Sequence, residues 1–274
     1  LTGSPEIAEP AVLSWLEGAV RPLFVGVCGS QGSGKSTFCE ALKNRLAARG
    51  LKVAVLSLDD LYLSPEARAM LAHRVHPLLV TRGVPGTHDV GLGLEVFQAL
   101  KAQKPVRLPR FDKANDTPFL RAQWPLIDGP VDVVLFEGWA VGAVAETEAA
   151  LQTPVNDLEV TEDSKGLWRA YVNTQLETVY APLFAQLDRL ILLAAPSFEV
   201  VQGWRTQQEH DLKAKLASSG RTGARIMSDD QINRFIQHYE RLTRHILREM
   251  PTRADLTLRL DSERKCIDVR ERRA

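Results

Sequence analysis

The sequence predicts an α/β fold, a mainly parallel sheet with helices on both faces. Three observations carry that prediction. Apolar runs of strand length alternate with segments of helical period, the pattern that parallel strands joined by crossover helices require. Three of the four main strand candidates, 23–28, 131–136 and 189–194, are near-continuous apolar runs, as strands buried on both faces should be. Between the first strand and the helix after it lies Gly29-Ser30-Gln31-Gly32-Ser33-Gly34-Lys35-Ser36, a complete G-x-x-x-x-G-K-[ST] sequence in strand–loop–helix context.

Taken in order, residues 6–20 read as a short amphipathic helix packed on the outside. Strand 23–28 follows. Residues 36–48 form a helix with Phe38, Leu42 and Leu46 on one face. Residues 52–58 form the second strand and 91–103 a helix. Residues 104–130, rich in Pro, Asp and Arg, show little periodicity, and a long irregular segment in a compact domain is usually functional. Strand 131–136, helix 165–186, strand 189–194 and helices 197–217 and 229–248 complete the alternation. In the last helix Ile232, Phe235, Ile236, Tyr239, Leu242 and Ile246 make a core-facing stripe with no chemistry expected of it. Residues 255–260 and 266–269, split by Asp261-Ser262-Glu263-Arg264, read as a strand pair. No internal repeat, low-complexity tract or linker interrupts the chain, so residues 1–274 are expected to form a single domain.

Composition excludes some classes of partner. Lys+Arg and Asp+Glu both total 34, so no bulk charge draws the chain to nucleic acid or a membrane surface. Cys28, Cys39 and Cys266 share no metal-type spacing and suit a reduced compartment. Leu1-Thr2-Gly3-Ser4-Pro5 shows no charged or long apolar targeting pattern, and no apolar run reaches membrane-spanning length. A cytoplasmic enzyme is the expectation, with no nucleic-acid or membrane partner; no feature of the sequence assigns an oligomeric state.

The chemistry concentrates at the predicted C-terminal ends of the strands, where open α/β sheets bind ligands. The glycines of 29–36 let backbone N–H groups wrap a phosphate. A helix N-terminus and Lys35 add positive charge, and Ser36 is left to hold Mg2+. Asp59 and Asp60 lie just past strand two, where a carboxylate could accept a hydroxyl proton and orient the oxygen for in-line attack. Glu137 ends an apolar strand and is the expected second anchor for Mg2+. Two loops, 82–89 and 109–116, gather Arg82, His88, Asp89, Arg110, Asp112 and Lys113. Arg suits an anionic substrate and Asp a polyol. Arg205, with Lys213 and Lys215 further along its helix and the loop Ser218-Ser219-Gly220-Arg221-Thr222-Gly223 beyond, suits a lid over the phosphates, spanning approximately 204–228.

Asp59-Asp60-Leu61-Tyr62, Arg82-Gly83-Val84-Pro85-Gly86-Thr87-His88-Asp89, Pro109-Arg110-Phe111-Asp112 and Phe136-Glu137-Gly138 follow the order and spacing of the uridine kinase, pantothenate kinase and phosphoribulokinase superfamily. With Lys113, Trp204-Arg205, Gln208-Glu209 and Met227-Ser228-Asp229-Asp230-Gln231, the chain more narrowly resembles the plant-type D-glycerate 3-kinases, over roughly residues 23–261. That resemblance implies a P-loop kinase fold with a helical lid and ATP-dependent phosphorylation of a small hydroxy acid, D-glycerate to 3-phosphoglycerate. It implies that Gly29, Ser30, Gln31, Gly32, Ser33, Gly34, Lys35, Ser36 and Thr37 hold ATP, and that Ser36 and Glu137 serve Mg2+. Asp59 would be the base and Arg205 the lid cation. Asp59, Tyr62, Arg82, His88, Asp89, Arg110, Asp112 and Lys113 would surround the small anionic substrate. One position departs from the pattern: many relatives carry Arg after the Asp at 116, where this chain has Thr117 and Pro118, so either Arg121 replaces it or the acceptor differs. Two other readings stand beside this one, a kinase of a nucleoside or pantothenate-like alcohol and a non-catalytic ATP-binding regulator. Few aromatics in the acceptor loops argue against a nucleoside, and intact Lys35, Asp59 and Glu137 against a regulator.

Overall fold

The computed structural model describes residues 3–218 and 227–272. Helix α1 (Ser4–Leu16) buries Ala8, Val12 and Leu16 at helical spacing. Strand β1 (Leu23–Gly29), buried along its whole length, leads through the glycine-rich loop into α2 (Lys35–Ala48). Helix α2 packs on α1 and turns Phe38, Leu42 and Leu46 inward. Strand β2 (Val53–Ser57) runs directly into a 3-10 turn, Leu58–Leu61, which carries both candidate aspartates. Helix α3 (Pro65–Arg74), which periodicity did not flag, begins where Ser64 caps the Ala67 N–H and Pro65 occupies the first turn. Helix α4 (Val90–Lys101) is capped by Asp89.

Segment 104–130 is more ordered than expected. It folds as β3 (Val106–Arg107), β4 (Phe111–Asp112), β5 (Thr117–Pro118) and β6 (Leu126–Ile127), paired antiparallel as β3 with β6 and β4 with β5. Strand β7 (Val133–Gly138) is fully buried. Two short helices, α5 (Glu148–Leu151) and α6 (Asp157–Glu162), precede α7 (Leu167–Gln175). The single helix expected over 165–186 is divided: α7 passes through a π turn at Leu176–Tyr180 into α8 (Ala181–Phe184). Then come β8 (Arg189–Ala194), α9 (Phe198–Ser218), α10 (Asp229–Glu249) and the hairpin β9 (Leu256–Leu260) with β10 (Cys266–Glu271). Of the lid expected over 204–228, residues 219–226 and the side chains of 212–218, including Lys213 and Lys215, lie outside the described part.

The other six strands form one sheet in the order β10-β9-β8-β1-β7-β2, parallel except for β10. In register, Glu137 stands beside Val27 on one side and Ser57 on the other. The ends of three strands therefore meet at one edge, and the loops after them face each other. Helices cover both faces around one large apolar core, with a smaller cluster around Leu78, Leu79 and Trp168. Among the described residues no helix is long and apolar enough to cross a membrane.

Candidate active site

The loop after β1 is shaped by its glycines. Gly32 and Gly34 have φ of 74° and 84°, the left-handed region that favours glycine. A Cβ on Gly32 would stand 2.6 Å from the Cβ of Trp204 on α9. Ser30 Oγ, Gln31 Oε1 and Ser33 Oγ are buried with no partner among the described residues. Buried polar atoms are normally satisfied, so a loop with three open ones suits a polar occupant.

Where the loop enters α2, the Ser36 hydroxyl donates to Glu137 Oε1 at 2.9 Å. Glu137 is 4% exposed, and its Oε2 has no partner among the described residues. A buried acidic oxygen left open beside a hydroxyl fits a cation. Among the described residues no group of three or more His, Cys, Asp or Glu side chains could hold a metal alone, so a cation here would share its coordination with phosphate oxygens and water, the habit of Mg2+.

Asp59 and Asp60 diverge in their contacts. Asp59 Oδ1 accepts from the Tyr62 hydroxyl at 2.7 Å, and Oδ2 accepts from Lys113 Nζ at 2.6 Å. Burial alone would raise its pKa, but the charges of Lys113 and Lys35 outweigh burial and hold the carboxyl below its ordinary value. Asp60 instead accepts from Arg110 Nη1 and the Phe111 N–H, both at 3.1 Å, and so pins the acceptor loop to the sheet edge. Burial pushes its pKa up, only partly offset by Arg110. The residue with an ionised carboxylate facing two lysines is Asp59.

Arg82 lies over the rings of Tyr62 and Phe111, 5.9 and 5.6 Å from their centroids. Its Nη1 pairs with Asp116 Oδ1, and its Nη2 donates to the Lys113 carbonyl at 3.2 Å. The other oxygen of Asp116 is held by Arg68, a buried residue of α3 that sequence reasoning missed. Arg121, the alternative suggested by Thr117, stacks on Trp124 instead, 5.5 Å from its ring. The guanidiniums beside Asp116 are therefore those of Arg68 and Arg82.

His88 stacks on Tyr62 with centroids 4.6 Å apart, and its Nδ1 lies 2.6 Å from the Tyr180 hydroxyl. That hydroxyl accepts from the Gly86 N–H at 3.0 Å, and among the described residues Nδ1 is the one acceptor within reach of its own hydrogen, which assigns the imidazole hydrogen to Nε2. Nε2 is buried and has no partner among the described residues, a donor beside the Asp59–Tyr62 pair. Burial lowers the His88 pKa to about 3, so the ring stays neutral.

Three expected substrate residues are engaged elsewhere. Asp89 caps α4 by accepting from the Leu92 N–H at 2.9 Å. Asp112 folds back on the Ala114 and Asn115 N–H groups at 3.0 and 3.1 Å, an Asx turn that shapes its own loop. Arg110 is committed to Asp60. Conversely, Tyr239, expected to be inert core, donates its hydroxyl to the Arg82 carbonyl at 2.8 Å, while Trp139 Nε1 donates to the Gly83 carbonyl at 2.8 Å. Gly83 has φ of 129° and no room for a Cβ against Tyr239. These contacts set Arg82 from behind. On α9, Arg205 lies 5.5 Å from the Phe235 ring centroid and pairs with the buried Glu209 at 2.7 Å.

Known proteins resemble this chain over different extents. The family described as methylmalonyl Co-A mutase-associated GTPase MeaB matches over residues 6–66, the segment that contains the glycine-rich loop and the Asp59 turn. "Uncharacterized kinase mug58" of Schizosaccharomyces pombe is 33% identical over 250 residues, covering 86% of each chain. The chloroplastic D-glycerate 3-kinase of Arabidopsis thaliana is 30% identical over 230 residues, 80% of this chain and 46% of that protein, so the chain spans about half its length. The structure of D-glycerate 3-kinase from Cryptococcus neoformans var. grubii superposes with a TM-score of 0.81 at 26% identity, covering 98% of this chain and 99% of that one.

Proposed function

We propose that this chain, which belongs to the P-loop kinase family of the D-glycerate 3-kinases, uses ATP to phosphorylate D-glycerate, a small hydroxy acid, giving 3-phosphoglycerate. That it is an ATP-dependent kinase follows from the kinases it resembles. The choice of acceptor rests on one observation. Asp59, an ionised carboxylate, is bonded to Tyr62, and the Arg82 guanidinium lies over the same Tyr62 ring. A hydroxyl-orienting group and a cation one aromatic ring apart match the two ends of a three-carbon hydroxy acid.

In this reading Lys35 and the N–H groups of residues 29–37 hold the β- and γ-phosphates. Ser36 and Glu137 would hold Mg2+, which when bound neutralises charge on those phosphates. Asp59 accepts a hydrogen bond from the acceptor hydroxyl and aims its oxygen at the γ-phosphorus. With its pKa held low, Asp59 orients the hydroxyl more than it pulls the proton, as suits a loose phosphoryl-transfer transition state. Lys113 keeps Asp59 ionised. Arg82 meets the acceptor's carboxylate with the N–H groups that Asp116 and the Lys113 carbonyl leave open, and His88 offers Nε2–H to a remaining oxygen. Arg205 acts as lid cation by exchanging Glu209 for a phosphate oxygen. The single large core around the sheet supports one domain with α9 as the base of the lid.

ADP release tests the proposal. D-glycerate should raise it many-fold over the acceptor-free rate, and Lys35→Ala should remove the stimulation. Turnover unaffected by D-glycerate would reject the acceptor, and turnover unaffected by Lys35→Ala would reject the phosphate-loop chemistry.

A further inference from the structure

The turn between β9 and β10 sits against the back of the glycine-rich loop, far from it in sequence. Asp261 organises this turn: its N–H donates to the Lys265 carbonyl at 2.9 Å, and its Oδ1 accepts from the Glu263 and Lys265 N–H groups at 2.9 and 2.8 Å. That geometry puts Arg264 at φ of 67°, left-handed backbone where glycine would be at ease and a long side chain is not. A strained residue kept at such a place points to its side chain.

The Arg264 side chain has three engagements. Nε donates to the Gly32 carbonyl at 2.5 Å, Nη2 donates to Gln207 Oε1 at 3.1 Å, and the guanidinium stacks on Trp204, 5.1 Å from its ring centroid. Trp204 Nε1 in turn donates to the Ser262 carbonyl at 2.6 Å, and the Trp204 Cβ fills the space where Gly32 would carry a side chain. Loop crown, start of α9 and hairpin turn thus meet at one guanidinium. Its two α9 partners, Trp204 and Gln207, flank Arg205.

We propose that Arg264 is a positioning residue for the nucleotide, holding the Gly32 peptide in its ATP-binding conformation and tying that conformation to the stance of α9. It touches the loop from behind and acts on the phosphates only through Gly32. A charge-assisted bond to a backbone carbonyl is directional, so it selects one orientation of a glycine peptide that otherwise has many. Its link to Gln207 makes any movement of α9 felt at the crown. The inference rests on the loop being the nucleotide site.

Calorimetric titration with Mg2+-ATP, without acceptor, tests it in the full chain. Arg264→Gly removes the side chain and relieves the backbone, so the turn should fold and the nucleotide-free Tm should stay close to wild type. ATP affinity should fall about 10-fold or more, the worth of a charged hydrogen bond, and the rise in Tm on adding ATP should shrink with it. Arg264→Lys keeps charge without the fork and should still weaken binding, which carries the test if the glycine variant does not fold. Gln207→Ala should weaken ATP less, and its effect should vanish in an Arg264→Gly background. Wild-type ATP affinity in folded Arg264→Gly or Arg264→Lys, or independent effects of Gln207→Ala, would overturn the coupling while leaving the kinase reading intact. A wild-type chain that takes up no ATP, or one whose ATP binding ignores Lys35→Ala, would overturn both.

Discussion

Asp59→Asn separates chemistry from nucleotide binding. Asparagine keeps the shape and can keep both contacts, its carbonyl facing Lys113 and its amide facing the Tyr62 oxygen. It loses the negative charge, and its single acceptor oxygen is shared with Lys113, so it holds and orients the acceptor hydroxyl far more weakly. Loss of a positioned acid–base group costs about 10²–10⁴ in rate, so kcat should drop by that factor. ATP binding should move the other way or stay put. The Asp59 carboxylate interacts with Lys35 strongly enough to feel its charge, and removing a negative charge from that neighbourhood favours an incoming triphosphate. The assay is steady-state ADP formation at saturating D-glycerate, paired with ATP titration by calorimetry. Asp60→Asn is the control: it disturbs the loop through Arg110 and Phe111 and should cost less. A kcat within a few-fold of wild type, tenfold weaker ATP binding, or greater damage from Asp60→Asn would refute the assignment of Asp59.

Glu137→Gln should raise the Mg2+ concentration needed for half-maximal rate, because the open Oε2 loses its charge; an unchanged Mg2+ titration would mean Glu137 only supports Ser36. Arg82→Ala should narrow the preference for D-glycerate over glycerol by about 1.5–3 kcal/mol, and Arg110→Ala by less, since Arg110 is committed to Asp60; acceptor competition kinetics reads both, and the reverse order would exchange their roles. Stability should fall in mild acid. His88 and His238, with folded pKa values of about 3 and about 4, stay neutral where the unfolded chain binds a proton near 6.5. Stability is then full above that pH and declines below it by about 1.4 kcal/mol per pH unit for each histidine. Asp59, already depressed, adds its own loss only below 3.8. Urea unfolding at pH 7 and pH 5 measures this, and equal stability would contradict the buried-neutral state of both rings.

Much of the site was legible because apolar strands announce where they end. Continuous apolar runs located β1, β7 and β8, the run 52–58 located β2, and a parallel sheet brings strand ends to one edge, so Lys35, Asp59 and Glu137 could be assigned to the same edge. Sequence did not reveal which polar residues near that edge serve the fold. Asp89 before an apolar helix and Asp112 two residues before Ala114 carry ordinary capping and turn signals, and the structure uses them so. Arg68, Tyr239 and Arg264 were missed for the opposite reason. Each meets its partner across a long stretch of chain, Asp116, the Arg82 carbonyl and the Gly32 carbonyl respectively, and has no local pattern to mark it. Tyr239 sits in a stripe whose helical period is explained by core packing, and only its hydroxyl reaches beyond the core.

The most direct test of the central claim is the ratio of kcat/KM for D-glycerate to that for glycerol, with the phosphorylated product identified by phosphorus NMR. Glycerol offers the hydroxyls without the acid, so it engages Asp59 and leaves Arg82 unused. A ratio well above 10, with 3-phosphoglycerate as product, is expected from a site that pairs one charged hydrogen bond with the acceptor's carboxylate. Equal values for the two acceptors, or a product other than 3-phosphoglycerate, would contradict it.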